Sequence, residues 1–253
     1  MPVVGEGGQR GRRMSKVSSD KTVAHSNHPG GVLYNPPERL VRGIRSRQES
    51  KEIMKYVLTF DCETTGLVDF KLPIGVPAQP HLVTLAAVLT DEEGEEVQSL
   101  YLVCKPDTYL SSPEAIKVHG ITREFAERVG VPRIVVLSAF NWLAKAADEH
   151  VAYNYDYDRF VLEGEFLRAD KPSPLSPSKA FCEMKAMTDV CKIPSPYKPG
   201  QFKWPSLKEA HQHAFGQDFV NAHDALADVR ATVRVHRWRE ALQKTPVKAE
   251  EIK

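Results

Sequence analysis

Acidic clusters beside apolar runs constrain the fold of this chain more than any other feature of its sequence. Two clusters end apolar runs, and a third begins a helical pattern near the end of the chain: residues 61–66 (DCETTG), 154–158 (NYDYD) and 223–228 (HDALAD). A soluble protein seldom ends its strands with carboxylates, because crowded anions repel each other and resist desolvation. We therefore expect a cation among them, and a pair of divalent metal ions is the simplest candidate. Such a pair indicates phosphoryl chemistry.

The composition is that of a soluble globular protein with one domain. Of the 253 residues, 42% are hydrophobic and 26% are charged, which are ordinary fractions for such a protein. No apolar stretch approaches the roughly 20 residues that span a bilayer, and residues 1–20 lack the apolar core of a signal peptide. The four cysteines form no CxxC pair, which favours reduced thiols in a cytosolic compartment. We expect neither secretion nor contact with a membrane.

Charge divides the chain into a basic extension and a slightly acidic body. Residues 1–53 hold ten Lys or Arg and five Asp or Glu, whereas the remaining residues hold 24 and 28. The extension is rich in Gly, Ser, Arg and Pro, and its apolar surface is too small to offset the entropy of ordering. We therefore predict a disordered basic extension over residues 1–53, a folded domain over residues 54–245 and a disordered tail over residues 246–253.

Hydrophobic patterns from residue 54 onward predict a mixed sheet flanked by helices. Strands are expected at five positions: residues 56–60, 81–90, 97–104 and 150–153, and a segment near Phe181. The second and third strands are expected to form a hairpin. Helices are expected at five further positions: a helix capped by Ser112, and residues 132–148, 158–168, 205–215 and 221–242.

The first cluster places two carboxylates on one side of a strand. Asp61 and Glu63 are two positions apart, so their side chains point the same way and can reach one metal ion or bridge two. Cys62 is turned by the same alternation toward the core, where a structural cysteine is expected. Asp-x-Glu alone is a weak signal, since it occurs about once by chance in a chain of this length and charge. Its place after an apolar run and before a Thr-Thr-Gly turn strengthens it.

The second cluster has an alternative explanation in helix capping. Asp158 follows a strand and begins a helix, and Asn154 can fix the turn between them through side-chain hydrogen bonds. In the alternative, Asp156 caps the helix and Asp158 is a favourable charge in its first turn. Considered by itself, the second cluster favours this capping explanation.

The third cluster joins a histidine to a carboxylate. His223 titrates near neutral pH and can accept a proton from a water molecule. Asp228 lies five positions later, which on a regular helix places the two side chains about 140° apart. Both can face one centre if His223 lies in the loop before the helix. The alternative, which this segment alone favours, is a surface histidine and a solvated aspartate.

Together, the three clusters resemble the DEDDh group of 3′→5′ exonucleases, which are also called DnaQ-like. The shared pattern is Asp-x-Glu-Thr-Thr-Gly, then Asn-x-x-x-Asp, then His-x-x-x-x-Asp. Three further segments are similar to the family in the expected order: residues 80–86, 118–122 and 204–207. The resemblance covers residues 54–243. It implies a ribonuclease H-like fold, in which a five-stranded mixed sheet of three antiparallel strands and then parallel strands is flanked by helices.

The resemblance also implies a role for each matching residue. Two divalent metal ions, Mg²⁺ or Mn²⁺, would be held by four carboxylates: Asp61, Glu63, Asp158 and Asp228. His223 would act as the general base. Contacts to the substrate would come from Thr64, Gly66, Leu67, His119, Asn154 and Phe160.

The chain departs from the family pattern around the second cluster. Tyr153 stands where the family often has His, and Tyr157 replaces the usual Phe. Asp156 adds a second carboxylate that could serve as the third ligand. Asp158 is favoured because it lies four residues after Asn154, as in the family.

The implied function is a metal-dependent 3′→5′ exonuclease that releases nucleoside 5′-monophosphates from single-stranded nucleic acid. DNA is favoured, because the compact form is similar to bacterial and phage DnaQ-like proteins, and a cytoplasmic location in a bacterial or phage-infected cell follows. A DNA polymerase, if it is a partner, would be a separate protein. Two alternatives are an exoribonuclease of the ribonuclease T or oligoribonuclease type and a non-catalytic nucleic-acid-binding or polymerase-associated subunit. The sequence predicts no oligomeric state.

A zinc site is a less favoured alternative use of the chain's cysteines and histidines. Its four candidate ligands would be Cys182, Cys191, His211 and His213. Their spacing matches no compact zinc finger, and the two histidines lie on different faces of the expected helix.

Overall fold

The computed structural model describes residues 54–220 and 224–244. The predicted extension over residues 1–53 and the predicted tail over residues 246–253 lie outside the described residues, as does His223. Within the described part of the chain, no helix combines the length and apolar character needed to cross a membrane.

The described residues form a mixed five-stranded sheet in the order β3-β2-β1-β4-β5. The strands are β1 (Val57–Thr64), β2 (Leu82–Thr90), β3 (Glu96–Val103), β4 (Glu149–Ala152) and β5 (Ala180–Cys182). Strands β1, β2 and β3 pair antiparallel, whereas β4 runs parallel to β1 and β5 runs parallel to β4. The predicted ribonuclease H-like sheet is therefore confirmed.

Seven α-helices flank this sheet in the described part of the chain. They are α1 (Pro113–His119), α2 (Arg123–Val129), α3 (Arg133–Ala146), α4 (Tyr155–Arg168), α5 (Glu183–Cys191), α6 (Leu207–Phe215) and α7 (Ala225–Lys244). The predicted cap at Ser112 is confirmed, because its side chain accepts a hydrogen bond from the Ala115 N–H at 3.1 Å. Neither α2 nor α5 was predicted from the sequence.

Two boundaries near the acidic clusters differ from the prediction. Strand β1 continues through the first cluster to Thr64, because its pairing with β2 extends to Leu82. Helix α4 begins at Tyr155 instead of residue 158, which places Asp156 inside the first turn and not at the cap. Asn154 occupies the cap position, but its side chain makes no capping hydrogen bond. The expectation that Asn154 fixes this turn through such a bond is therefore wrong.

Helices cover both faces of the sheet, so every residue of the interior strand β2 is buried. On one face, Phe60 packs edge to face against Phe140 of α3 and Tyr155 of α4. The predicted core position of Cys62 is confirmed on this face, where it is 7% exposed. On the other face, α7 packs on the sheet through small side chains, and this cluster contains Ala86, Val88, Ala225 and Val229.

A buried ion network fixes the long connection between β1 and β2. The Glu165 carboxylate on α4 accepts hydrogen bonds from the Leu82 N–H at 3.1 Å and from Arg168 at 2.7 Å, and it pairs with Arg133 at 3.0 Å. Arg168 also donates to the backbone carbonyls of residues 75, 76, 79 and 80. Helix α4 therefore holds the end of this connection and the start of β2.

Replacing Glu165 should show how much this network stabilises the domain. We expect Glu165→Gln to lower the free energy of unfolding by about 3 kcal/mol at pH 7, because it leaves two partly buried arginines without their buried carboxylate. Burial raises the pKa of Glu165, but the His81 hydrogen bond and the two arginine charges outweigh burial and lower it. The wild-type contribution is therefore complete above the ordinary pKa of about 4.3 and is lost as the pH falls through the lowered folded value.

Urea unfolding of both proteins between pH 7 and pH 3 measures this contribution. Glu163→Gln is the matched control on the same helix, since its ion pair with Arg159 is partly exposed and should contribute about 0.5 kcal/mol or less. Equal losses in the two variants would contradict a special role for the buried network.

Candidate active site

Three carboxylates from two elements converge on one face of the sheet. One carboxylate oxygen each from Asp61, Glu63 and Asp228 lies within 4.8 Å of the others. Asp61 and Glu63 share a face because side chains alternate along β1, and Asp228 reaches them from the first turn of α7. The three residues are half-buried, so the group is accessible from solvent.

Close packing of α7 brings Asp228 to the sheet. Asp61 pairs with Ala86 across the ladder, and the small Ala86 side chain contacts the α7 cluster that includes Ala225. The helix start is fixed by Asp224, whose carboxylate accepts hydrogen bonds from the N–H groups of Leu226 at 3.1 Å and Ala227 at 3.0 Å. Sequence analysis did not select Asp224, although an aspartate just before a helix is a known capping signal.

Asp158 approaches the same group from α4. Its side chain is 3% exposed, and its carboxylate accepts a hydrogen bond from the Cys62 N–H at 3.0 Å. The Cys62 N–H that it binds lies directly after Asp61 in β1, and the negative charge of Asp158 contributes to the raised pKa of Asp61. Asp158 is not one of the three residues whose carboxylate oxygens lie within 4.8 Å of one another.

Asp156, the other candidate ligand of the second cluster, pairs with a lysine. Its carboxylate forms an ion pair with Lys185 at 2.6 Å, and both side chains are about half-exposed. The structure therefore distinguishes Asp156 from Asp158, the two carboxylates that the sequence offered as candidates for the third ligand. Asp158 lies beside Asp61, whereas Asp156 is bound to a lysine of α5.

The electrostatics of the group call for a cation. Burial, followed by the charges of neighbouring carboxylates, raises the pKa of Asp61 well above its usual range and that of Glu63 to about 7. Burial also raises the pKa of Asp158 to about 8, although the hydrogen bond from Cys62 opposes the shift. Among the described residues, every charged group that shifts the pKa of Asp61 or Glu63 is a carboxylate. Crowded carboxylate oxygens of this kind fit divalent cations that prefer oxygen ligands, such as Mg²⁺ or Mn²⁺.

The turn after β1 carries three of the predicted substrate contacts. Leu67 is 90% exposed. The Thr64 hydroxyl donates a hydrogen bond to the Gly66 carbonyl at 2.7 Å. Helix α1 braces this turn, because the Ser112 N–H donates to the Thr65 carbonyl at 2.8 Å. The exposed leucine is therefore presented by a turn with fixed backbone.

His119, Phe160 and Asn154 are the other predicted contacts, and the structure buries the first two. The His119 ring is 9% exposed, and its Nδ1 accepts a hydrogen bond from the Ile121 N–H at 3.0 Å. Phe160 is also 9% exposed and packs edge to face against Phe70, which is 59% exposed. Phe70 is therefore the more accessible ring of that pair, and sequence analysis did not select it. Asn154 is half-buried at the start of α4.

The alternative zinc site is not formed by the described residues. Within residues 54–220 and 224–244, the group of Asp61, Glu63 and Asp228 is the single set of three or more ligand types close enough to share an ion. His211 is buried and bonds through Nδ1 to the Gln217 carbonyl at 2.8 Å. His213 packs edge to face against Trp238.

Comparison with known proteins identifies relatives of this chain. The family model RNase_T, described as Exonuclease, matches residues 58–236. A solved structure of exonuclease I is 25% identical with a TM-score of 0.58, and the match covers 75% of this chain and 43% of that chain. Escherichia coli exonuclease I in complex with a dT13 oligonucleotide is 24% identical with a TM-score of 0.60, covering 75% and 42%. The same enzyme with a dA16 oligonucleotide is 24% identical with a TM-score of 0.57, covering 75% and 43%.

This chain therefore spans less than half the length of the solved chains that it matches. No curated protein sequence matches it significantly. At 24% identity, the two oligonucleotide complexes support the fold of this chain. The family match covers most of the described residues and includes the acidic residues of all three clusters.

Divalent ions should stabilise the folded protein through the acidic group. At a Mg²⁺ concentration one hundred times its dissociation constant, binding adds about 2.7 kcal/mol and should raise the midpoint of thermal unfolding by about 5–10 °C. Asp61→Asn should abolish this response. In EDTA at pH 7 the variant should be more stable than wild type, because a raised folded pKa costs about 1.4 kcal/mol per unit.

Thermal unfolding in EDTA and in Mg²⁺ checks both effects. Asp156→Asn serves as the control, because its ion pair lies outside the group and it should keep the wild-type response to Mg²⁺. A cation site here would be contradicted if Mg²⁺ left the unfolding midpoint of wild type unchanged and Asp61→Asn were less stable than wild type in EDTA.

Proposed function

This chain belongs to the exonuclease family, a DnaQ-like group of the ribonuclease H-like superfamily, and on that premise we propose that it removes nucleotides from the 3′ end of single-stranded DNA. The products would be nucleoside 5′-monophosphates. The observation that carries the proposal is the convergence of Asp61, Glu63 and Asp228 within 4.8 Å, with Asp158 beside them. These are the carboxylates that the sequence pattern selects.

Charge explains why the proposed reaction needs metal ions. A phosphodiester is an anion, and the group that would receive it consists of carboxylates, so the two repel each other unless cations lie between them. Two Mg²⁺ or Mn²⁺ ions would supply an activated water and would stabilise the leaving 3′ oxygen. The proposed ligands are Asp61, Glu63, Asp158 and Asp228.

The chain's own residues would position these ligands and move one proton. The Cys62 N–H holds the Asp158 carboxylate at 3.0 Å, and strand alternation directs Asp61 and Glu63 to the same side. We assign the general base to His223, which would take the proton of the attacking water. His223 precedes by one residue Asp224, the cap of α7, so its position in the chain suits this role.

The exposed turn after β1 would receive the terminal nucleotide. Leu67 follows the acidic strand and is 90% exposed, and an aliphatic wedge can pack against the face of a base. Thr64 and Gly66 would contact the nucleotide through the backbone of the same turn. His119 and Phe160 would mainly shape the walls of the surface that receives the nucleotide, since both side chains are buried.

DNA is proposed as the substrate over RNA because solved relatives hold dT13 and dA16 oligonucleotides. Those relatives are Escherichia coli proteins, which supports a role in bacterial or phage DNA metabolism. RNA trimming is the competing outcome of the same experiment. A non-catalytic binding subunit would be the outcome if binding occurs without any shortening.

Shortening of labelled oligonucleotides tests the proposed function. With a 5′-labelled single-stranded DNA and Mg²⁺ or Mn²⁺, we expect a ladder that shortens from the 3′ end and disappears in EDTA. Asp158→Ala should slow the reaction by about a hundredfold or more, because it removes a proposed metal ligand. Asp156→Ala should stay within about twofold of wild type, as expected for an exposed ion pair outside the site.

A matched RNA oligonucleotide in parallel identifies the sugar preference. Faster shortening of RNA would replace DNA as the proposed substrate. Loss of activity in Asp156→Ala, with Asp158→Ala active, would overturn the ligand assignment. Binding without shortening of either strand would contradict the enzymatic proposal.

A further inference from the structure

The hydroxyl of Tyr157 forms a compact hydrogen-bonded group with the turn after β1. It lies 3.0 Å from the Thr64 hydroxyl and 3.2 Å from the Gly66 carbonyl oxygen, and the Thr64 hydroxyl lies 2.7 Å from the same oxygen. Each hydroxyl carries one hydrogen, so when both hydrogens are donated within this group, at least one of them goes to the Gly66 carbonyl. The Tyr157 ring is half-buried, which keeps water from competing strongly for these bonds.

These bonds hold the peptide group directly before Leu67, because the Gly66 carbonyl belongs to the peptide bond between Gly66 and Leu67. The Leu67 side chain that follows this peptide group is 90% exposed.

The first turn of α4 thereby fixes two parts of the site at once. Asp158 holds the Cys62 N–H at 3.0 Å, and its neighbour Tyr157 holds the turn that begins at Thr64. Because adjacent residues of one helix anchor both, the distance between the acidic group and Leu67 is fixed. A small movement of α4 would shift them together.

We propose that the Tyr157 hydroxyl is a positioning group that holds Leu67 against the terminal nucleotide and so sets the affinity for the 3′ end. This inference rests on the proposed function. An exposed side chain on a fixed backbone loses less freedom when it binds than one on a mobile turn. Loss of the hydroxyl should therefore weaken binding of the nucleotide, while the acidic group stays in place through Asp158.

Removal of one hydroxyl tests the proposal against a matched control. We expect Tyr157→Phe to raise the KM for a single-stranded oligonucleotide about fivefold, with kcat within about twofold of wild type, as fits the loss of one or two hydrogen bonds. Tyr155→Phe is the control. Its hydroxyl is buried and has no hydrogen-bond partner among the described residues, so its kinetics should match wild type.

A double-mutant cycle with Leu67→Ala distinguishes positioning from a general structural effect. Leu67→Ala alone should raise the KM about tenfold, because it removes the apolar contact. Adding Tyr157→Phe to Leu67→Ala should change the KM by less than about twofold, since the hydroxyl would no longer have a leucine to position. A further fivefold loss in the double variant would overturn the proposal, as would equal KM values for Tyr157→Phe and Tyr155→Phe.

Hydrogen exchange measures the same contact without substrate. The peptide that contains residues 64–68 should exchange several-fold faster in Tyr157→Phe than in wild type or Tyr155→Phe. Unchanged exchange in Tyr157→Phe would overturn the proposal even if its KM rises. A wild type that leaves DNA and RNA intact would instead contradict the proposed function, and hydrogen exchange would then decide alone whether Tyr157 holds this turn.

Discussion

Repulsion among desolvated carboxylates is the constraint that the rest of this structure accommodates. Burial and neighbouring charges raise the pKa of Asp61, Glu63 and Asp158, and the surrounding charges that act on Asp61 and Glu63 in the described residues are negative. A fold that holds such groups together stores unfavourable energy that a divalent cation releases. We therefore propose that the acidic group is a site for divalent cations. Its position on one accessible face suits a substrate that carries its own negative charge.

Two helices hold the group together by different means. Helix α7 approaches the sheet closely because alanines face each other at Ala86 and Ala225, and this brings Asp228 to β1. Helix α4 acts through hydrogen bonds, since Asp158 binds the Cys62 N–H. Further along α4, Glu165 and Arg168 hold the connection between β1 and β2. Helix α4 thus contacts both the acidic group and the connection between β1 and β2.

The sequence was most informative where local geometry alone decides the outcome. Alternation along a strand placed Asp61 and Glu63 on one face and Cys62 in the core, and the structure agrees. The sequence could not predict the position of a side chain whose contacts are with residues far away in the chain. Asp156 is removed from the site by Lys185, which lies far along the chain, and nothing in the local pattern marks that pair. Likewise, the hydrogen-bond partners of the Tyr157 hydroxyl lie in a turn some ninety residues earlier in the chain, so the local pattern around Tyr157 does not predict them.

The most direct measurement of the central claim is anomalous diffraction from crystals grown with Mn²⁺ and thymidine 5′-monophosphate. We expect two manganese peaks about 4 Å apart, bound by the proposed ligands Asp61, Glu63, Asp158 and Asp228. We also expect the nucleotide to lie beside Leu67. Manganese bound elsewhere, or no peak among these carboxylates at millimolar Mn²⁺, would contradict the claim that the acidic group is a divalent metal site.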